Sequence, residues 1–396
     1  MHPASAQLAT LRRRLVERLA SEGVLTDDAV AAALLRVPRH RFVPGPAAAA
    51  YRDAVIATKW DAGGHAISSS SQPGMMAVML QQLAVAPGQR VLEIGAGTGY
   101  NAALLAELCG PGGRVTTVDL DDDLVRGARQ HLADAGAERV TVVAGDGALG
   151  WPPDAPYDRI ELTVATDAVE PAWTAQLAAG GRIVLPLALG AVQRSLALEA
   201  AAGGGLVSRS VRDCAFMPLR GARAAGRRSR APLRAGVALE APDQRPLDGE
   251  ALAAALGAPG PAVACGVAVA AHELWGGLAL WLATGAGDVG RLLLEPGRPR
   301  RAPRPADRGG GLALLGETGF AILERDGRAG AGRIALAARP YGAGAGPLAA
   351  RLADAVRAWA AGGRPASDEA TILVPVAGDG DADERSSGPP RALVRW

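Results

Sequence analysis

The sequence predicts an α/β protein: a doubly wound, Rossmann-like parallel sheet followed by a second, smaller C-terminal domain of α/β or α+β type. Three observations carry this expectation. Between Arg90 and Leu187 short apolar runs alternate with helical stretches, the pattern of parallel strands covered by helices on both faces. The first of those strands runs into a glycine-rich turn that opens a helix. At 396 residues the chain is also too long for one ordinary core, and its composition shifts near Gly221.

Taken in order, residues 8–22 and 27–36 carry apolar side chains at helical spacing, with Thr26 as the expected N-cap of the second helix. Pro38 ends that helix inside the segment Val37-Pro-Arg-His-Arg-Phe-Val-Pro44. Residues 51–66 lack periodicity, and the serine run at 68–71 reads locally as a loop. Residues 73–83 form a helix with proline in its first turn. Strands follow at 90–94, 115–120, 140–143, 159–164 and 182–187, with helices at 100–108 and 124–135. Residues 196–199 and 206–217 read as antiparallel closing strands. The domains expected are 1–221, a linker at 222–235 rich in Arg, Ala and Gly, and 236–396. In the last of these, strands are expected at 320–324, 333–338, 371–376 and 392–396, a helix at 348–361, and loops at 309–311 and 378–387. No motif and no repeat is readable there.

Composition narrows the function classes. Hydrophobic residues make up 49% and charged residues 21%, as in ordinary soluble domains, and a net charge of +2 offers no concentrated basic face for nucleic acid. The arginines between 220 and 234 read as a solvated linker. Cys109, Cys214 and Cys265 are scattered and lack metal-type spacing, which fits inert thiols in a reducing cytoplasm, with no metal expected. The N-terminus has no apolar signal core. The most apolar stretch, 262–285, is interrupted by His272 and Glu273 and reads as buried core, so no membrane partner is expected and the localisation expected is cytoplasmic.

The chemistry concentrates in Val91-Leu-Glu93-Ile-Gly95-Ala-Gly97-Thr-Gly99-Tyr100. Glycines between a strand and a helix let backbone approach a ligand where a side chain would collide. Gly97, Gly99 and Ala102 also satisfy a dinucleotide fingerprint, with Asp119 about twenty residues on, so a nicotinamide-dependent oxidoreductase is one open reading. Glu93 argues otherwise, because a phosphate binder gains nothing from a carboxylate beside its glycine loop. S-adenosyl-L-methionine has no phosphate; its sulfonium and ammonium suit an acidic strand end. Asp119 closes the second strand, where it can meet ribose hydroxyls. Asp146, beside Gly147, closes the third, where it can accept from an adenine amino group. Met75, Met76 and Met79 read as core filling, and Trp60, Trp151 and Trp173 as packing.

With these residues in hand, the chain resembles the protein-L-isoaspartate O-methyltransferases. The resemblance runs in order through Val37–Pro44, Ser71-Gln-Pro73, the glycine loop, Gly145-Asp-Gly147, Ala155-Pro-Tyr-Asp158, Gln176-Leu177, Gly180-Gly181 and Phe216-Met-Pro-Leu219, covering residues 8–221. It implies a class I methyltransferase whose cofactor, S-adenosyl-L-methionine, is held by Glu93, Gly95, Gly97, Gly99, Asp119, Asp146 and Gly147. It also implies a substrate-facing hydroxyl at Ser71, with Ser70 and Ser69 beside it, and a peptide or protein partner bearing an aspartyl or isoaspartyl carboxylate. The family usually carries Gly-x-Thr-Ile-Ser-x-Pro in this loop, whereas this chain has Gly64-His-Ala-Ile-Ser-Ser-Ser-Ser-Gln-Pro73. The altered loop and the long C-terminal part are similar to members that tailor ribosomally made peptides (RiPP biosynthesis), where an aspartyl ester closes to a succinimide (aspartimide). Repair of isoaspartate in damaged proteins is the alternative.

A carboxylate with a reference pKa of about 4 is already a nucleophile at neutral pH, so no general base is needed. His65 reads as solvated and His40 as structural. The work expected of the protein is alignment and exclusion of water, with the hydroxyls of Ser69, Ser70 and Ser71 holding the acceptor.

Overall fold

Two amphipathic helices open the chain, α1 (Pro3–Ser21) and α2 (Asp28–Arg36), and bury Leu15, Leu19, Val30 and Leu34 in one core. The N-cap of α2 is Asp27 rather than Thr26: its Oδ1 accepts from Ala29 N at 2.8 Å and Val30 N at 2.9 Å. A carboxylate placed there meets both free N–H groups and the positive helix end. Thr26 instead donates its N–H and hydroxyl to Gln81 Oε1, at 2.6 and 3.0 Å.

The structure is a computed structural model that describes residues 3–222, 229–242, 246–295, 303, 305–306, 310–330, 332–375 and 392–396. The loop expected at 378–387 and part of the expected linker fall outside these residues. Packing divides the chain into two units. One comprises Met1–Leu187, Arg194–Ala225 and Ile372–Leu393; the other comprises Ala188–Gln193, Gly226–Thr371 and Val394–Trp396.

In the first unit the serine run is not a loop. β1 (Ile56–Trp60) and β2 (Ala66–Ser70) pair antiparallel, with Ile56 opposite Ser70 and Ala57 opposite Ser69. Serine content misleads here because cross-strand pairing, not intrinsic preference, makes the strand. Helix α3 (Pro73–Leu83) follows, its first turn tied to Asp53 Oδ1 by Gly74 N at 2.7 Å.

The alternating region forms β3 (Arg90–Ile94), α4 (Tyr100–Cys109), β4 (Arg114–Asp119), α5 (Asp122–Asp134), β5 (Val140–Ala144), β6 (Tyr157–Leu162), α6 (Pro171–Ala175) and β7 (Leu177–Leu189). Their order in the sheet is β5-β4-β3-β6-β7, all parallel. β3 lies at the centre and buries Val91, Leu92 and Ile94, as a strand covered on both faces requires. β8 (Val192–Ala200) is joined to β7 by Gly190 and Ala191 alone, a connection only an antiparallel pair permits. β9 (Leu206–Cys214) comes next in the sheet.

The second unit is a seven-stranded antiparallel sheet. Its strands are β10 (Ser229–Arg234), β11 (Val237–Ala241), β12 (Val263–Val269), β13 (Val289–Leu294), β14 (Gly310–Leu315), β15 (Phe320–Ala329) and β16 (Arg333–Tyr341). Leu239, Leu292, Phe320 and Ile322 pack with Leu252 and Leu256 of α7 (Gly249–Leu256). The apolar stretch at 262–285 divides into β12, a short α8 (Ala271–Glu273), a π-turn (Leu274–Leu278) and α9 (Ala279–Gly285). Helix α10 (Gly346–Ala361) packs on β12, β15 and β16. Two expectations change. Gly310 and Gly311 begin β14 instead of forming a loop, because their missing side chains let Leu292 O and Pro305 come close. β17 (Thr371–Val374) pairs antiparallel with β9 in the first sheet, and β18 (Leu393–Arg395) is a short terminal strand.

Candidate active site

The order β5-β4-β3-β6-β7 reverses between β3 and β6, so the loops leaving these two strands diverge and open a crevice at their carboxyl ends. A cavity of about 560 Å³ occupies that crevice. Gly95, Gly97, Asp119, Gly147 and Thr163 line one side, Ser69, Ser71 and Met75 another, and the segment from Asp213 to Arg220 a third.

The glycine loop is shaped for close approach. Gly95 has φ +104°, and a Cβ there would collide with Thr163 Oγ1, whose hydroxyl donates to Gly95 O at 2.7 Å. Gly97 has φ +51°, and a Cβ there would meet nothing nearer than Ser69 O at 3.7 Å, so its bare backbone faces open cavity. Gly97 N donates to Asp119 Oδ2 at 2.9 Å, and Asp121 N to Oδ1 at 3.2 Å. Burial raises the Asp119 pKa and these two N–H groups oppose the rise. The carboxylate still has unused lone pairs on the cavity side. Gly99 packs on Ala128 and Leu132 of α5 as the residue before α4, and Gly147 leaves space that Ile94 fills.

Two of the expected acids lie elsewhere. Glu93 is fully buried and does not line the cavity; it accepts from Asn101 Nδ2 at 2.8 Å and Thr117 Oγ1 at 2.5 Å, and burial pushes its pKa up to about 8. Asp146 caps a turn, accepting from Ala148 N at 3.0 Å and Ala222 N at 2.8 Å, and is also not among the lining residues. Glu93 is closed off by burial, whereas Asp146, next to cavity-lining Gly147, accepts one N–H on each oxygen as Asp119 does and keeps further acceptor sites.

The serines are not equivalent. Ser69 and Ser71 line the main cavity; Ser70 does not, lying with its Oγ 3.3 Å from Arg39 Nη2, though it lines a smaller cavity with its two neighbours. Ser68 also reaches the cavity, its Oγ accepting from Thr58 Oγ1 at 3.1 Å. Arg39 is fully buried and donates to Ala50 O at 3.0 Å, Ala54 O at 3.2 Å, Ser70 O at 3.3 Å and Ser71 O at 2.9 Å. It thereby holds the serine strand against the segment before β1. Nothing local in the segment Val37–Pro44 marks Arg39, since an arginine among prolines carries no signal of its own. His40 bonds Tyr51 through Nδ1 at 2.6 Å, and His65 is exposed beside Asp61, away from the cavity. Met76 and Met79 fill core, whereas Met75 lines the cavity. Trp173 is buried, donating to Gly147 O at 2.9 Å, while Trp60 is exposed.

Ion pairs fasten the rim. Asp121 takes Lys59 of β1 at 2.8 Å and Arg220 at 2.8 Å, joining the serine hairpin and the 213–220 segment to the end of β4. Those pairs hold the Asp121 carboxyl below its usual range, Arg220 foremost. Cys214 is a cavity-wall residue that sequence reading treated as inert; burial pushes its pKa up to about 12, so it stays a thiol. Among the described residues no cluster of three metal-type ligands exists, and no helix is long and apolar enough to cross a membrane.

A glycine loop at the switch point of a parallel core, an acid closing the second strand and an antiparallel end beyond β7 define a Rossmann-like methyltransferase fold. The chain belongs to the protein-L-isoaspartate(D-aspartate) O-methyltransferase family, whose model matches residues 10–224. It is 42% identical over 212 residues to a protein-L-isoaspartate O-methyltransferase of Methanopyrus kandleri, covering 53% of this chain and 91% of that one. A relative of the same name from Hyperthermus butylicus is 40% identical over 219 residues, covering 53% and 88%. A solved protein-L-isoaspartate O-methyltransferase aligns with 96% of this chain and 99% of its own, at a TM-score of 0.51 and 23% identity, which speaks for the fold. Membership makes this an S-adenosylmethionine-dependent carboxyl methyltransferase, and the oxidoreductase reading falls away. The cavity fits that cofactor: it is open where Gly97 is bare and carries Asp119 as an acceptor with lone pairs to spare.

Proposed function

We propose that the chain methylates the side-chain carboxylate of an aspartate in a ribosomally made peptide, the ester then closing to a succinimide, which water can open to isoaspartate. The observation that carries this reading is the serine strand, which presents Ser69 and Ser71 to the cavity that the glycine loop also lines. The cofactor supplies an electrophilic methyl on its sulfonium. Gly97 and Asp119, with Gly95 and Gly147, would hold it; Ser69 and Ser71 would donate hydrogen bonds to the acceptor carboxylate without neutralising it. Among the described residues no histidine lines the cavity, and none is needed, because an acceptor with a pKa of about 4 is ionised at neutral pH. After transfer the next backbone nitrogen attacks the ester carbonyl, forming the imide and expelling methanol. Glu93 then supports the site rather than touching ligand, given its burial and the partners it already has.

Repair of isoaspartyl residues is the second reading, favoured by the name the relatives carry. An extra C-terminal part does not separate the two, since the solved chain so named is matched over 99% of its length by 96% of this one. Matched aspartyl and isoaspartyl peptides, including any precursor encoded beside the gene, separate them by mass spectrometry. A one-bond displacement of the carboxylate should cost roughly a hundredfold in rate. Methyl gain followed by net loss of one water from the aspartyl form is the expected outcome. Turnover confined to isoaspartyl peptides would return the chain to repair.

Ser71→Ala should lower turnover roughly tenfold, as loss of one hydrogen bond to a charged acceptor does. Cofactor affinity should stay unchanged by calorimetry. Equal loss of both would make the strand structural only.

A further inference from the structure

Behind the glycine loop a second, much smaller cavity of about 30 Å³ adjoins the first, and Gly95, Gly97, Thr163, Ser69 and Ser71 line both. It has room for about one water-sized group. Its floor is formed by Asn101 and Glu161. Glu161 stands in β6 directly beside Glu93 of β3 in parallel register. One Asn101 amide nitrogen joins them, donating to Glu93 Oε1 and Glu161 Oε2, each at 2.8 Å. Thr117 completes Glu93, so that carboxyl has a donor on each oxygen. Glu161 is 1% exposed, yet its Oε1 has no hydrogen-bond partner among the described residues.

Glu161 lines the small cavity, and a carboxylate oxygen with no protein donor in low-dielectric surroundings attracts a cation placed there. The small volume admits an ammonium head and excludes a whole side chain. We propose that Glu161, oriented by Asn101, receives the α-ammonium of the cofactor's amino-acid moiety and so selects ligands that carry it. This rests on the main cavity being the cofactor site, and it adds a recognition residue in β6 that neither the glycine loop nor Asp119 supplies. Burial holds Glu161 at a pKa of about 7, so it can take either protonation state near neutral pH, and an arriving cation favours the charged one. Burial pushes the Glu93 carboxyl up as well.

The test is calorimetry on the full chain with two probes: S-adenosylhomocysteine, which carries the ammonium, and methylthioadenosine, which lacks the amino-acid moiety. Glu161→Gln should weaken S-adenosylhomocysteine roughly tenfold to a hundredfold, the range for one charge-assisted hydrogen bond, and leave methylthioadenosine unchanged. Equal loss for both probes, or loss for neither, overturns the assignment. A measurement on the unaltered protein removes dependence on the variant's folding: the deaminated analogue of S-adenosylhomocysteine should bind at least tenfold more weakly than the parent. Equal affinity overturns the proposal. Failure of the unaltered chain to bind either adenosyl probe would instead overturn the cofactor site on which the proposal rests.

Discussion

Asp119→Ala should weaken S-adenosylhomocysteine binding a hundredfold or more while the protein still melts cooperatively. The carboxylate accepts one N–H on each oxygen, from Gly97 and from Asp121, and has about four acceptor sites in all. Asp119 lines the cavity, so the remaining two are open to a ribose diol that donates twice. Charge-assisted hydrogen bonds contribute ~1.5–3 kcal/mol each, so losing two costs about two decades of affinity at the lower end of that range. The same change frees the Gly97 N–H, which slackens the loop at its most open point. Asp119→Asn keeps an acceptor oxygen and should fall between the two. Calorimetry that finds the alanine variant unchanged would remove Asp119 from the site.

Arg39→Met should destabilise the protein by about 3–5 kcal/mol, because several buried carbonyls lose their donor at once. The carbonyls of Ala50, Ala54, Ser70 and Ser71 all accept from this one guanidinium, and no water can reach a residue that is fully buried. Each orphaned carbonyl costs ~1–3 kcal/mol, offset in part because the arginine itself no longer has to be desolvated. A melting-temperature drop on the order of 10 °C follows. Arg39→Lys keeps the charge but not the planar fork of donors, and should recover less than half of the loss. The variant's residual activity should show a raised KM for peptide, because Ser69 and Ser71 are aimed by the strand that Arg39 fastens. A methionine variant melting within a degree or two of the unaltered chain would show that other contacts hold the strand.

The parallel core was readable because its signals are local. Strand runs alternate with helices over windows of a few turns, and glycines at 95, 97 and 99 mark a tight approach wherever they occur between strand and helix. Asp119 was readable because it stands at the end of the strand after that loop, a position set by chain geometry. The helix cap at Asp27 was misplaced by one residue, since Thr26 and Asp27 are both good caps and only the Gln81 side chain, far along the chain, decides between them.

The sequence by itself determined the fold class, the glycine loop and the acid that closes β4, all of which depend on residues near one another along the chain. Tertiary structure alone decided which polar residues face the cavity. Glu93 reads as a ligand acid until Asn101 and Thr117 are seen to occupy it, and the serine run reads as a loop until β1 lies beside it. Arg39 reaches Ser71 across 32 residues, and Asn101 reaches Glu161 across 60. The physical reason is that a buried polar group is defined by its partners, and partners brought together by folding leave no trace in local composition or period.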